Sequence, residues 1–159
     1  MLSDAGYATG MFGKWHLGDA EGRYPTDQGF DEWYGIPNSS DQAFWPDSDS
    51  FQKDAGVEFT RVMTSTRNQK PKKHEVYDRV KRATIDREIT DYALEFIARK
   101  AETKKPFFVY LPYTQTHEPV DAHPDFKGST GNGSFADVLA QTDSYVGELI
   151  ARIDELGIR

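Results

Sequence analysis

The chain has 159 residues, enough for one domain with a core of its own. Its 19 basic and 26 acidic side chains leave a net charge of −7, which argues against the basic face of a nucleic-acid binder. With no cysteine, it can form neither disulfides nor thiolate metal sites, and it has no cysteine nucleophile. No apolar run approaches a membrane span, and the first residues lack the basic and apolar regions of a secretory signal.

Residues 1–5 read as the end of a helix, with Gly6 as its C-terminal stop. Tyr7 to Trp15 reads as a short buried strand leading into a loop that holds Lys14 and His16. Gly6, Gly10, Gly13 and Gly18 allow positive φ angles and close backbone approach. If the Lys14–His16 stretch is extended, the two side chains point to the same side. A cation and an imidazole then meet at one point, a way to hold an anion and move a proton.

From Asp19 to about Gly56 the composition predicts a long loop rich in Gly, Pro, Asp and Ser. Its aromatics Phe30, Trp33, Tyr34, Phe44, Trp45 and Phe51 are expected mainly to anchor it on the core. Asp19, Asp27, Asp31 and Asp41 are metal-ligand candidates by type alone; turn-forming aspartates are the better reading.

Val57 to Thr64 alternates as a strand or edge hairpin does, and residues 66–82 read as an exposed polar connection. That connection holds the basic cluster Lys70-Pro71-Lys72-Lys73-His74, read as a solvated loop. From Thr84 to Thr103, Ile85, Ile89, Tyr92, Ala93, Phe96 and Ile97 recur at helical spacing and predict one buried stripe. The apolar run Pro106 to Pro112 suits a central strand covered on both faces. A second amphipathic helix follows, traced by Val138, Leu139, Thr142, Tyr145, Val146, Leu149, Ile150, Ile153 and Leu156 and stopped at Gly157.

Helix, strand, loop and helix in this order predict an α/β fold with a parallel sheet. Both ends read as cuts within a larger domain, which predicts exposed edges and self-association of the isolated piece. Ligands of open α/β sheets bind beyond the carboxyl ends of the strands. Two loops qualify: the Lys14/His16 loop and Tyr113 to Pro119, which holds His117. They are candidates to surround one anion.

The wording of these segments is specific. Gly6-Tyr7-x-Thr9 followed by Gly13-Lys14-Trp15-His16-Leu17-Gly18 resembles the second signature of the type I, formylglycine-dependent sulfatases of the alkaline-phosphatase-like superfamily. Phe12 departs from it, standing where a small or aliphatic residue is commoner. Pro106-Phe107-Phe108-x-Tyr110-Leu111-Pro112 and Thr114-x-Thr116-His117-x-Pro119 resemble the family segment whose histidine contacts the sulfate. Gln28-Gly29-Phe30-Asp31 with Gly35-Ile36-Pro37-Asn38-Ser39, and the run from Phe126 to Ile158, are similar to further family segments in the same order.

The resemblance implies a partial alkaline-phosphatase-like sandwich, a mostly parallel central sheet flanked by helices, with residues 1–159 as the central part of the catalytic domain. It implies hydrolysis of a small-molecule or glycan sulfate ester, arylsulfatase-like, by a formylglycine nucleophile assisted by Ca2+. Lys14, His16 and His117 would be catalytic; Lys14, His117 and Ser39, with Ser40 adjacent, would bind substrate. No Cys/Ser-x-Pro-x-Arg motif occurs in the chain, and the family's metal ligands find no counterpart in it. The 159-residue piece alone is therefore expected to be inactive. A phosphodiesterase or phosphonate hydrolase of the same superfamily, or a degenerate binding module, are the alternative readings, and localisation stays open.

Overall fold

The structure is a computed structural model and describes residues 2–40, 45, 56 and 58–159. In chain order the strands are β1 (Ala8–Lys14), β2 (Glu32–Ile36), β3 (Arg61–Thr66), β4 (Lys72–Val76) and β5 (Phe107–Tyr110). Helix α1 (Arg79–Thr103) lies between β4 and β5, and α2 (Ser134–Glu155) follows β5. They form one sheet in the order β4-β3-β2-β1-β5. β1 pairs parallel with β2 and β5, whereas β3 is antiparallel to both its neighbours, so β3 alone of the five runs against the rest.

β1 is buried from Thr9 to Gly13 because both faces of the sheet are covered. On one side Phe12 meets Phe96 of α1, ring centroids 5.5 Å apart, within a cluster that also holds Tyr34, Ile36, Ile85, Ile89 and Ala93. On the other side Met11, Trp33 and Met63 form a smaller cluster flanked by Trp15, Tyr24 and Phe30. Asp78 caps α1, its side chain accepting from Lys81 N at 2.8 Å. α2 docks on α1 through Leu149 and through Arg87, which pairs with Glu148 at 2.8 Å and covers the Tyr145 ring at 4.6 Å.

Several expectations change. Residues 2–6 are hydrogen-bonded turns rather than a helix end, although Gly6 does take a positive φ of 87°. The expected long loop contains β2, a parallel partner of β1. Its described aromatics Phe30, Trp33, Tyr34 and Trp45 pack on the core as anticipated; Phe44 and Phe51 lie outside the described residues. The strand expected at Val57 to Thr64 runs instead from Arg61 to Thr66, and the supposed exposed connection supplies β4, an edge strand carrying Lys72 and Lys73.

The apolar run after α1 is an edge rather than a central strand of this sheet. Phe107 and Val109 pack inward, while Phe108 and Tyr110 stay 40% and 45% exposed. α2 likewise buries Val138, Tyr145 and Leu149 but leaves Phe135, Leu139, Val146 and Ile150 exposed as a second stripe.

Candidate functional site

β5, β1 and β2 run parallel, and their trailing segments are tied to one another. Lys14 N donates to Pro112 O, Trp15 N to Ile36 O and His16 N to Pro37 O, each at 2.9 Å. The segments 14–18, 37–40 and 112–119 thus leave the sheet side by side at its carboxyl edge. Two glycines permit this closeness. A Cβ on Gly13 (φ 137°) would lie 2.0 Å from Pro112 O, and one on Gly35 (φ 153°) would lie 1.9 Å from Gly13 O.

Lys14 is the last residue of β1 and half-buried; His16 is exposed. His16 takes a left-handed φ of 61°, so the pleat ends at Lys14 and the extended geometry expected across Lys14–His16 does not hold. The turn is fixed between them by Trp15, whose Nε1 donates to Arg23 O at 2.7 Å and whose ring meets Phe30 edge-on at 6.2 Å. Ser39 is buried at the start of the neighbouring segment. Ser40 is buried too, and its Oγ lies 3.3 Å from the Tyr77 hydroxyl in the core.

The aspartates act as turn and pairing residues. Asp19 accepts from Asn38 Nδ2 at 3.0 Å, and Asp27 accepts from Tyr24 N at 3.0 Å. Asp31 pairs with Arg67 at 2.8 Å and accepts from Thr9 N at 2.8 Å. Asp41 lies outside the described residues. Among the described residues no three His, Cys, Asp or Glu side chains converge as a metal cluster. The described aspartates, Asp19, Asp27 and Asp31, do not fit a calcium cage.

The loop after β5 is held differently. His117 is exposed, and its Nδ1 lies 2.8 Å from Glu118 O. A carbonyl only accepts, so in this hydrogen bond Nδ1 is the donor and Nε2 is the ring atom left to face outward. Beneath it lie two charges absent from the sequence-based candidates, Arg82 and Asp86, 0% and 1% exposed. Arg82 donates to Pro119 O at 3.1 Å, Thr114 O at 3.2 Å, Gln115 Oε1 at 3.0 Å and His117 O at 2.6 Å, and also to Thr114 Oγ1. Asp86 accepts from Thr114 N at 2.9 Å, Thr114 Oγ1 at 2.8 Å and Gln115 N at 3.0 Å. Burial pushes the Asp86 carboxyl above its ordinary range, although these donors and the Arg82 charge pull the other way.

Arg82 had been placed in an exposed connection; it is the most deeply engaged side chain of the loop's support. The sequence signal was available in the helix itself. Arg79, Arg82, Asp86 and Thr90 follow a helical spacing beside the apolar stripe of Ile85 and Ile89.

A family model described as Sulfatase matches residues 1–159. The chain belongs to the sulfatase family. N-acetylgalactosamine-6-sulfatase of Canis lupus familiaris is 30% identical over 158 residues, covering 99% of this chain and 29% of that protein. Arylsulfatase A of Homo sapiens is 31% identical over 170 residues, covering 99% of this chain and 32% of that protein. Among solved structures, the PsFucS1 sulfatase from Pseudoalteromonas sp. superposes with a TM-score of 0.88 at 26% identity, over 99% of this chain and 34% of that one. This sulfatase chain therefore spans about a third of the length of the relatives it matches. The family resemblance and the alkaline-phosphatase-like α/β architecture expected from the motifs both hold.

Proposed function

We propose that the protein hydrolyses a sulfate ester, and that this chain supplies the anion-binding side of the site through Lys14, His16, His117 and Ser39. The observation that carries the reading is the adjacency of two family-specific loops. Lys14 N is bonded to Pro112 O, so the segment leading to His117 starts against the end of β1. The sulfatase family match over the whole chain supports the choice of sulfate.

Within this reading Lys14 meets a sulfate oxygen as a point charge. Protonated His117, anchored through Nδ1 on Glu118 O, donates from Nε2 to the ester oxygen and protonates the departing alcohol. His16, at the turn beyond β1, accepts or returns a proton at the attacking group, and Ser39 offers a hydroxyl beside them. Formylglycine, the family's nucleophile, finds no Cys/Ser-x-Pro-x-Arg motif in the chain, and Ca2+, its Lewis acid, finds no fitting aspartate set among the described residues. The chemistry assigned to this chain is confined to binding sulfate and moving protons at the ester oxygen and at the attacking group. The 159 residues alone are expected to show no turnover even with calcium.

The relatives' names point to carbohydrate and aryl sulfates as the substrate class. The test is hydrolysis of p-nitrophenyl sulfate and of a sugar 6-sulfate by the full chain as encoded by its gene. His117→Ala is expected to lower kcat by about 10²–10⁴-fold, the usual worth of a positioned proton donor. Lys14→Ala is expected mainly to raise KM and to weaken inhibition by free sulfate. Unchanged kcat/KM in both variants would remove the assignment, and turnover by the isolated 159 residues would remove the division of labour.

A further inference from the structure

We propose that one face of α1 is a positioning device for His117, with Arg82, Asp86 and Thr114 as its working parts. The inference rests on the sulfate-binding role given to His117 above. Its own basis is the way the loop docks. Reading down the helix, Thr90 Oγ1 meets the Tyr113 hydroxyl at 2.9 Å, and Asp86 holds Thr114 and Gln115. Arg82 then holds Thr114, Gln115, His117 and Pro119, and Arg79 pairs with Asp121 at 2.8 Å. Successive turns of the helix grip successive residues of the loop, which runs alongside it in the opposite direction.

Two features separate this seam from ordinary core packing. First, every side-chain hydrogen bond of Arg82 and Asp86 described above ends on residues 114–119. Sealing a guanidinium and a carboxylate from water is costly, and apolar side chains of similar volume often stabilise a fold as well or better. What the charges give in return is one fixed path for a backbone whose N–H and C=O groups have no sheet or helix partner. Second, the grip falls on the backbone while the His117 ring stays outside. Arg82 takes the His117 carbonyl itself, and the bonds at Thr114, Gln115 and Pro119 fix the chain on both sides. The Thr114 hydroxyl links the two charges, donating to Asp86 and accepting from Arg82. None of the three reaches the substrate in this scheme; they act through His117.

Thr114 offers the mildest cut, because Thr114→Val keeps the shape and removes only the hydroxyl, and Thr114→Ser restores it. In the full chain as encoded, Thr114→Val is expected to lower kcat/KM for p-nitrophenyl sulfate about ten- to a hundredfold, in line with the loss of both buried hydrogen bonds of the hydroxyl. Thr114→Ser should recover most of that loss. Amide exchange in residues 113–121 should quicken in Thr114→Val while exchange in β1 and β2 stays as it was.

The deciding measurement is a double-mutant cycle with His117→Ala. Thr114→Val should cost nothing further once the imidazole is gone. An equal loss in both backgrounds would overturn the proposal, since the hydroxyl would then act through general stability. Should His117→Ala itself keep full activity, the sulfate-binding reading falls instead. Faster loop exchange in Thr114→Val would then show the clamp holding a loop without catalytic consequence, and the proposal would fall through its premise.

Discussion

The two loops that carry the candidate site are built on opposite principles. The Lys14–His16 loop is set by shape: glycines at 13 and 35 let three chain segments touch, and backbone bonds to Pro112, Ile36 and Pro37 do the rest. The His117 loop is set by charge, its backbone gripped by a buried guanidinium and carboxylate on α1. The first arrangement tolerates no extra atom but needs no buried charge. The second depends on each hydrogen bond, because a buried donor or acceptor left unmade costs more than the bond contributes when formed.

The steepest way to break the comparison is Gly13→Ala. The added methyl would meet a backbone carbonyl at 2.0 Å, and φ of 137° suits no other residue type. A loss of about 3 kcal/mol or more is expected from the combined strain and overpacking. Urea unfolding of the chain followed by tryptophan fluorescence checks it, since Trp15 and Trp33 sit beside the strand. A loss below about 1 kcal/mol would mean that the segments slide apart easily, and the shape argument would fail.

A gentler change reaches only the second loop. Asp78 caps the helix turn that contains Arg79 and Arg82. Asp78→Ala is expected to cost about 1 kcal/mol. Amide exchange should quicken in the first turn of α1 and in residues 113–121 together, and not in residues 14–18. Equal quickening of both loops would erase the distinction between them.

The sequence announced the first loop better than the second for a physical reason. Gly-Lys-Trp-His-Leu-Gly states its own geometry, since glycines mark close approach and the chemistry-bearing residues are adjacent. Arg82 and Asp86 find their partners 28 or more residues away, so Arg82 reads as part of an exposed connection and Asp86 draws no reading at all. β2 was hidden because it is buried on both faces: Trp33 turns to one cluster while Tyr34 and Ile36 turn to the other, which leaves no polar alternation to see. β4 was hidden by the opposite cause, being exposed along nearly its whole length. The continuous apolar run at residues 106–112 pointed to a central strand, yet Phe108 and Tyr110 spend their apolar surface stacking on Phe30, 6.3 and 6.4 Å away. The α/β class survives these errors, and the two candidate loops do leave the sheet at its carboxyl edge, because both readings rest on the motif-bearing strands β1 and β5. The left-handed turn at His16 needed the backbone itself.

The smallest expected effect belongs to the far end of α1, away from both loops, and serves as their control. Glu32 at the start of β2 meets Arg99 at 2.6 Å and Lys100 at 3.1 Å. Burial alone would raise its pKa, but the hydrogen bonds and charges of the two cations outweigh it, so the folded-state pKa lies below the ordinary value. A carboxylate depressed on folding adds stability that is fully present above its unfolded pKa of about 4.3 and disappears as pH falls through the lower folded value. Glu32→Gln should therefore cost at most about 1 kcal/mol near pH 7, the range of a half-exposed ion pair. The gap between variant and parent should close on acidification below that unfolded value and shrink with added salt, since protonated Glu32 resembles glutamine. Exchange in residues 14–18 and 113–121 should not move. If Glu32→Gln loosens the 113–121 loop as strongly as Asp78→Ala does, α1 transmits strain along its whole length as a rigid rod, and the grip on His117 is a property of the entire helix rather than of its first turns.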